Sequence, residues 1–170
     1  MKKNKVVLIG MPGCGKSTLG EVIAKELNYG FYDMDVYIQK ISGKSIPDLF
    51  KEGEEVFREW ETKACMELSH KENVIIASGG GVVKKQINID ILKKECIILF
   101  IDRPVEEIIK DVNVSTRPLL KNGMFKIYEL YNERYELYKK AADITVANKG
   151  LIEEVIKACE KEIKNFFINI

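Results

Sequence analysis

At 170 residues the chain has room for one or at most two domains, and with 46% hydrophobic and 31% charged residues its composition is that of a packed globular protein, which excludes disorder and fibrous repeats. Its 27 basic residues nearly cancel 26 acidic ones, for a net charge of +1, which excludes a nucleic-acid binder working through a broad basic face. The single histidine, His70, excludes a histidine-based zinc site.

The first apolar run, 5–9, is cut short by Gly10, Pro12 and Gly13, with no small-residue cleavage site after it. It therefore reads as the first strand of a mature cytosolic protein and not as a leader. A helical pattern follows at 16–27, then a strand at 31–33. Segment 36–51 fits a strand–helix alternation poorly. It carries the helix-start signal Ser45-Ile46-Pro47 and reads as a small helical insertion leading into a helix at 54–69. Strands are predicted at 74–77, 96–101 and 144–146, and helices at 104–111, 124–142 and 151–167. The longest solid apolar run, Cys96 to Ile101, is far too short to span a membrane.

Strands that are continuously apolar and separated by helices predict an α/β protein with a parallel sheet covered on both faces. No repeat, low-complexity tract or linker divides the chain, so one domain, 1–170, is expected. Segment 112–123 is polar, contains Pro118 and Gly123, and has no period. It suits either a flap over a site or an ordinary surface connection. The cysteines Cys14, Cys65, Cys96 and Cys159 are scattered without a CxxC pair and read as reduced thiols, the last three as core.

Gly10-Met11-Pro12-Gly13-Cys14-Gly15-Lys16-Ser17 matches GxxxxGK[ST] in full, with an apolar strand before it and a helical pattern after it. The glycines let several backbone N–H groups turn inward toward phosphate oxygens, and the helix N-terminus adds its positive end. Lys16 would reach the β- and γ-phosphates and the Ser17 hydroxyl would bind Mg²⁺. The base-reading Asn-Lys-x-Asp of small GTPases is missing, because Asn148-Lys149 is followed by Gly150-Leu151. Chain length suits a kinase for a small molecule or a nucleotide. Cys14 lies in this loop near a helix N-terminus, which lowers a thiol pKa, but reads chiefly as a tolerated small residue.

Only four of the 27 basic residues are arginine: Arg58, Arg103, Arg117 and Arg134. Where lysine is the default cation, an arginine marks a place that needs a planar, bidentate donor. Arg134 falls inside the apolar stripe Ile127, Leu130, Tyr131, Leu137, Tyr138 and Ala141, so it faces inward and needs a partner, either a structural carboxylate or an anionic substrate. Arg58 lies at the edge of the face Val56, Trp60, Ala64 and Leu68. Glu61, one turn on, would hold it; the plainer alternative is an exposed ion pair. Phe50 and Phe57 would wall the site. Arg117 would close on phosphates as a flap residue, whereas Arg103, beside Pro104, reads as scatter.

Asp33 and Asp35 bracket Met34 at the end of the second strand, where residues two apart point the same way if the chain is extended. They suit a Mg²⁺ ligand and a base for a substrate hydroxyl, or merely a turn-capping pair. Gly79-Gly80-Gly81 ends the third strand, as a ligand-facing backbone or a tight turn only.

Together these residues resemble the shikimate kinase family over almost the whole chain. The resemblance rests on Gly10–Thr18, Asp33-Met34-Asp35, the run Gly53, Glu54, Phe57, Arg58 and Glu61, the glycine triplet, Arg117-Pro118-Leu119-Leu120, and Arg134-Tyr135, Tyr138 and Ala142-Asp143. It implies ATP-dependent phosphorylation of the shikimate 3-hydroxyl, on the way to chorismate and the aromatic amino acids. The implied fold is that of the nucleoside-monophosphate kinases: a three-layer P-loop kinase fold with a five-stranded parallel sheet, a substrate-binding helical region at about 33–61 and a lid at about 112–124.

By motif match, Lys16, Asp35 and Arg117 are catalytic. Gly13, Cys14, Gly15, Lys16, Ser17, Thr18 and Arg117 bind ATP. Asp35, Arg58, Gly80 and Arg134 bind shikimate, and Ser17 and Asp33 serve Mg²⁺. The expected partners are these small molecules, with neither nucleic acid nor membrane, for a cytoplasmic monomer. The chain departs from the family pattern at Lys110, where a second lid-region arginine is common. Competing readings are a P-loop kinase for a sugar acid or a nucleotide, and a catalytically silent nucleotide-binding module.

Overall fold

A computed structural model describes residues 4–111 and 120–168. Among them, strands β1 (Lys5–Ile9), β2 (Gly30–Asp33), β3 (Val74–Ala77), β4 (Ile97–Asp102) and β5 (Ile144–Ala147) form one parallel sheet in the order β2-β3-β1-β4-β5. The helices are α1 (Lys16–Glu26), α2 (Met34–Ser42), α3 (Ile46–Glu52), α4 (Glu54–Ser69), α5 (Gln86–Glu95), α6 (Val105–Asp111), α7 (Leu120–Ala141) and α8 (Ile152–Ile168).

The central strands are buried on both faces, as their unbroken apolar runs require: Val6, Val7, Leu8 and Ile9 of β1 and Ile97, Ile98 and Leu99 of β4 are all solvent-inaccessible. At the edge, β5 alternates buried Ile144 and Val146 with exposed Thr145 and Ala147, so one of its faces is open. Helices α1 and α8 pack together on one side of the sheet, while α4, α5 and α7 cover the other. The chain leaves β1 toward β2 and leaves the adjacent β4 toward β5. Two neighbouring strands thus send their connections in opposite directions, and the crevice this opens at their carboxyl ends is where parallel sheets bind ligands. No described helix is long and apolar enough to cross a membrane.

The insertion at 36–51 is two helices. Helix α2 starts directly after Asp33, and α3 is capped by Ser45, whose hydroxyl accepts from the Asp48 N–H, with Pro47 in the first turn. The chain is therefore not extended through Asp33 and Asp35, as the spacing argument assumed, because the strand ends at the first of them. Helix α7 starts at Leu120, so residues 120–124 of the expected lid are helical, while 112–119, including Arg117, lie outside the described residues.

The buried face of α4 is also turned from the predicted one. It runs through Phe57, Arg58, Glu61, Ala64, Cys65 and Leu68, with Val56 and Trp60 only partly covered. Leu137 likewise leaves the apolar stripe of α7 and is exposed. Helix α5 has no counterpart in the predicted elements. Its buried positions are Asn88, Ile89 and Leu92, and the amide among them breaks the apolar period.

Asn88 is solvent-inaccessible and fully engaged. Its amide donates to Glu61 Oε2 and to the Val82 carbonyl, both at 3.3 Å, and its oxygen accepts from Thr62 Oγ1 at 2.7 Å. Removing such a group leaves its buried partners unsatisfied. Asn88→Ala is expected to lower stability by about 2 kcal/mol. The check is a lower urea midpoint with an unchanged m-value.

Candidate active site

The phosphate loop joins β1 to α1. Gly15, with φ of 96°, adopts the left-handed conformation that a side chain would strain, and α1 has no side-chain cap, so its first N–H groups face the loop. Lys16 is almost wholly buried; its ammonium donates to the carbonyls of Gly10 and Met11, both at 2.9 Å. Cys14 is solvent-inaccessible, and burial pushes its thiol pKa up in spite of Lys16 nearby. The lowering expected from the helix N-terminus is thus outweighed by desolvation, and the residue acts as packing.

Asp33 takes the capping role and also meets Ser17. Its Oδ1 caps α2, accepting from the N–H groups of Asp35 (3.0 Å) and Val36 (3.2 Å), and its Oδ2 accepts from the Ser17 hydroxyl at 2.6 Å. Asp35 follows in the first turn of α2. Burial and the neighbouring Asp33 raise its carboxyl pKa, against lowering by Lys16 and Arg58.

Arg58 is buried in the second turn of α4 and held from two sides. One nitrogen meets both oxygens of Glu61 at 2.9 Å, and the other side of the fork meets Glu54 at 3.2 and 3.3 Å. The exposed ion pair is thus not what forms. Burial raises the Glu61 carboxyl pKa, while Arg58 pulls it back. Gly81 packs so closely on the guanidinium that any side chain there would run into it. Arg134 is equally buried, but its Nε has no hydrogen-bond partner among the described residues, and Glu133 stands 3.8 Å away. Tyr138, one turn on and solvent-inaccessible, donates to the Gly80 carbonyl at 2.5 Å and ties α7 to the loop after β3.

Arg58 and Arg134 line the same cavity, of about 340 Å³, together with Phe50, Phe57, Glu61 and Gly80. The two phenylalanine rings stack at 4.5 Å. A second cavity, of about 570 Å³, is lined by Gly13, Gly15, Lys16, Ser17, Thr18 and Asp33 among others. Asp35, Gly79 and Gly80 line both, so Asp35 stands where the two spaces meet. The predicted site residues that are described therefore converge on one region, with Cys14 contributing backbone and packing.

Sequence reasoning missed Asn88, Tyr138 as the anchor of Gly80, and Arg103. The Arg103 guanidinium donates to the Gly13 carbonyl at 3.1 Å. Lys110 turns away to Glu107 and is exposed, and Asn148 donates from its amide to the Cys14 carbonyl at 2.8 Å.

The shikimate kinase family model matches residues 12–164. A shikimate kinase of Clostridium botulinum (strain Alaska E43 / Type E3) is 56% identical over 167 residues, spanning 98% of this chain and 99% of that one. The solved shikimate kinase from Acinetobacter baumannii in complex with shikimate superposes with a TM-score of 0.86 at 31% identity, over 96% of this chain and 94% of that one. A gluconokinase from Sinorhizobium meliloti shares the fold alone, with a TM-score of 0.63 at 16% identity. With a family match over residues 12–164 and this much identity to its relatives, the chain belongs to the shikimate kinase family and is an ATP-using phosphotransferase.

Proposed function

We propose that Asp35 takes the proton from the 3-hydroxyl of shikimate as the γ-phosphoryl of ATP moves to that oxygen. The hydroxyl oxygen bonds to phosphorus, the bond from the γ-phosphorus to the β–γ bridging oxygen breaks, and shikimate 3-phosphate and ADP result, a step toward chorismate and the aromatic amino acids. The observation that carries this reading is the pair of buried guanidinium groups, one of them without a hydrogen bond at Nε, lining a single cavity that meets the phosphate-loop cavity at Asp35. A small carboxylate-bearing polyol satisfies those cations; a nucleotide acceptor could pair its phosphate with them too, but would need a pocket for its base in addition.

In this assignment Arg58, Arg134 and the Gly80 backbone hold shikimate. Lys16 and the loop from Gly13 through Thr18 hold the ATP phosphates, and Arg117 closes on the transferred group. The Ser17 hydroxyl and the Asp33 carboxylate are hard oxygen donors 2.6 Å apart beside that loop, a pair that fits Mg²⁺, which keeps several waters of its own. Bound there, the ion neutralises charge on the β- and γ-oxygens. The chain works as a single-domain cytoplasmic monomer, with 33–61 as its acceptor-binding part and 112–124 as its lid.

An ADP-release assay against shikimate, gluconate, AMP and CMP tests the assignment. Turnover with shikimate is expected, and turnover only with another acceptor would overturn it. Asp35→Asn should reduce kcat by about 10²- to 10⁴-fold while sparing ATP affinity. Because the Asp35 pKa is raised, wild-type kcat/KM should fall with acidity at a pH above the ordinary carboxylate range, as the base becomes protonated; this limb should vanish in the variant. Arg134→Ala should raise the KM for shikimate by about tenfold or more and leave that for ATP unchanged. A loss of thermal stability without that KM split would mark Arg134 as structural.

A further inference from the structure

Resting on the assignment of the phosphate loop to ATP, we infer that Arg103 fixes the nucleotide at the joint between its phosphates and its base. The cavities lie in a row. The acceptor cavity meets the phosphate cavity at Asp35, and the phosphate cavity meets a third, of about 420 Å³, at Arg103. Pro104, Glu107, Asn148 and Gly150 contribute to the walls of that third space, and among the described residues Arg103 is the one it shares with the phosphate cavity. Since the γ-phosphate must lie at the Asp35 end, the other end of the row is where the nucleoside goes. The α-phosphate and ribose then pass Arg103.

The side chain is built for that place. It follows β4 directly, at the sheet's carboxyl edge, and is only partly exposed. One terminal nitrogen donates to the Gly13 carbonyl at 3.1 Å, and the other pairs with Asp111 at 2.5 Å. These two bonds hold the guanidinium plane while leaving its face and further donors for a ligand. A planar cation held in this way can pair with a phosphate oxygen and lie against a purine, as a lysine cannot. Lys110, a nearby alternative, is turned to Glu107.

The competing account is that Arg103 merely braces the loop against α6. Calorimetric binding of ADP and of inorganic pyrophosphate separates the two, because pyrophosphate occupies the loop without reaching the nucleoside end. Arg103→Met should weaken ADP by about tenfold or more and pyrophosphate by less than about twofold. The KM for ATP should rise in parallel and that for shikimate should not. Arg103→Lys, which keeps the charge and loses the plane, should show a smaller ADP-selective loss. Asp111→Asn, which loosens the guanidinium without altering the loop, should do the same and serves if Arg103→Met does not fold. Equal losses for both ligands, or no loss for either, would overturn the inference. Wild-type protein that binds neither ligand would overturn the phosphate-loop assignment as well.

Discussion

A cation taken out of water must be neutralised, and the acceptor side of this site is organised around that requirement. Arg58 meets it within the protein: Glu61, itself buried, takes one side of the fork, and Glu54 takes the other. Arg134 meets it only in part, with Glu133 at 3.8 Å and no hydrogen bond at Nε. The cavity lining therefore holds one guanidinium that is fully hydrogen-bonded and one that is not. Much of the surrounding architecture keeps the two guanidinium groups from relaxing. Gly81 leaves the space that the Arg58 guanidinium fills, Asn88, itself held by Thr62, donates to Glu61 from behind, and the Tyr138 hydroxyl ties α7 to Gly80.

The same low-dielectric setting acts on Asp35. Burial and Asp33 favour its neutral form, while Lys16 and Arg58 favour the ionised one. A carboxylate poised between such influences is easier to protonate than one in water, as a group that receives a proton during phosphoryl transfer should be. Its position follows from the β2–α2 junction, where the strand stops and the helix begins without a connecting loop. A helix capped in its first turn makes Asp35 part of a rigid element.

Local features were legible in the sequence. The phosphate loop is contiguous, so its motif carries its own structural context. The strands are unbroken apolar runs because both their faces are covered. Arg134 stood out as a charge in an apolar stripe. What escaped were features that depend on contacts across the chain. The pairing of Arg58 with Glu61, one helical turn apart, is legible in the sequence, but the burial of both, which turns the face of α4, depends on Asn88 and Gly81 from distant parts of the chain. Helix α5 was hidden for a related reason, since Asn88 belongs to the core through Glu61, Thr62 and Val82. Arg103 meets a carbonyl 90 positions away in the chain, a proximity that no local pattern encodes. Asp35 was identified through an assumed extended geometry, although the helix that carries it is what sets its place.

Asp33 assigns its two oxygens to different neighbours, one to the backbone of α2 and the other to Ser17. This double commitment narrows which residues the position tolerates during sequence drift. Asparagine keeps the cap but brings no negative charge, serine caps with its one oxygen, and glutamate holds its carboxylate one methylene too far out to serve both. Helix nucleation and the tie to the phosphate loop's Ser17 are thereby subject to a single selective filter, and neither can be tuned by substitution at that codon without disturbing the other.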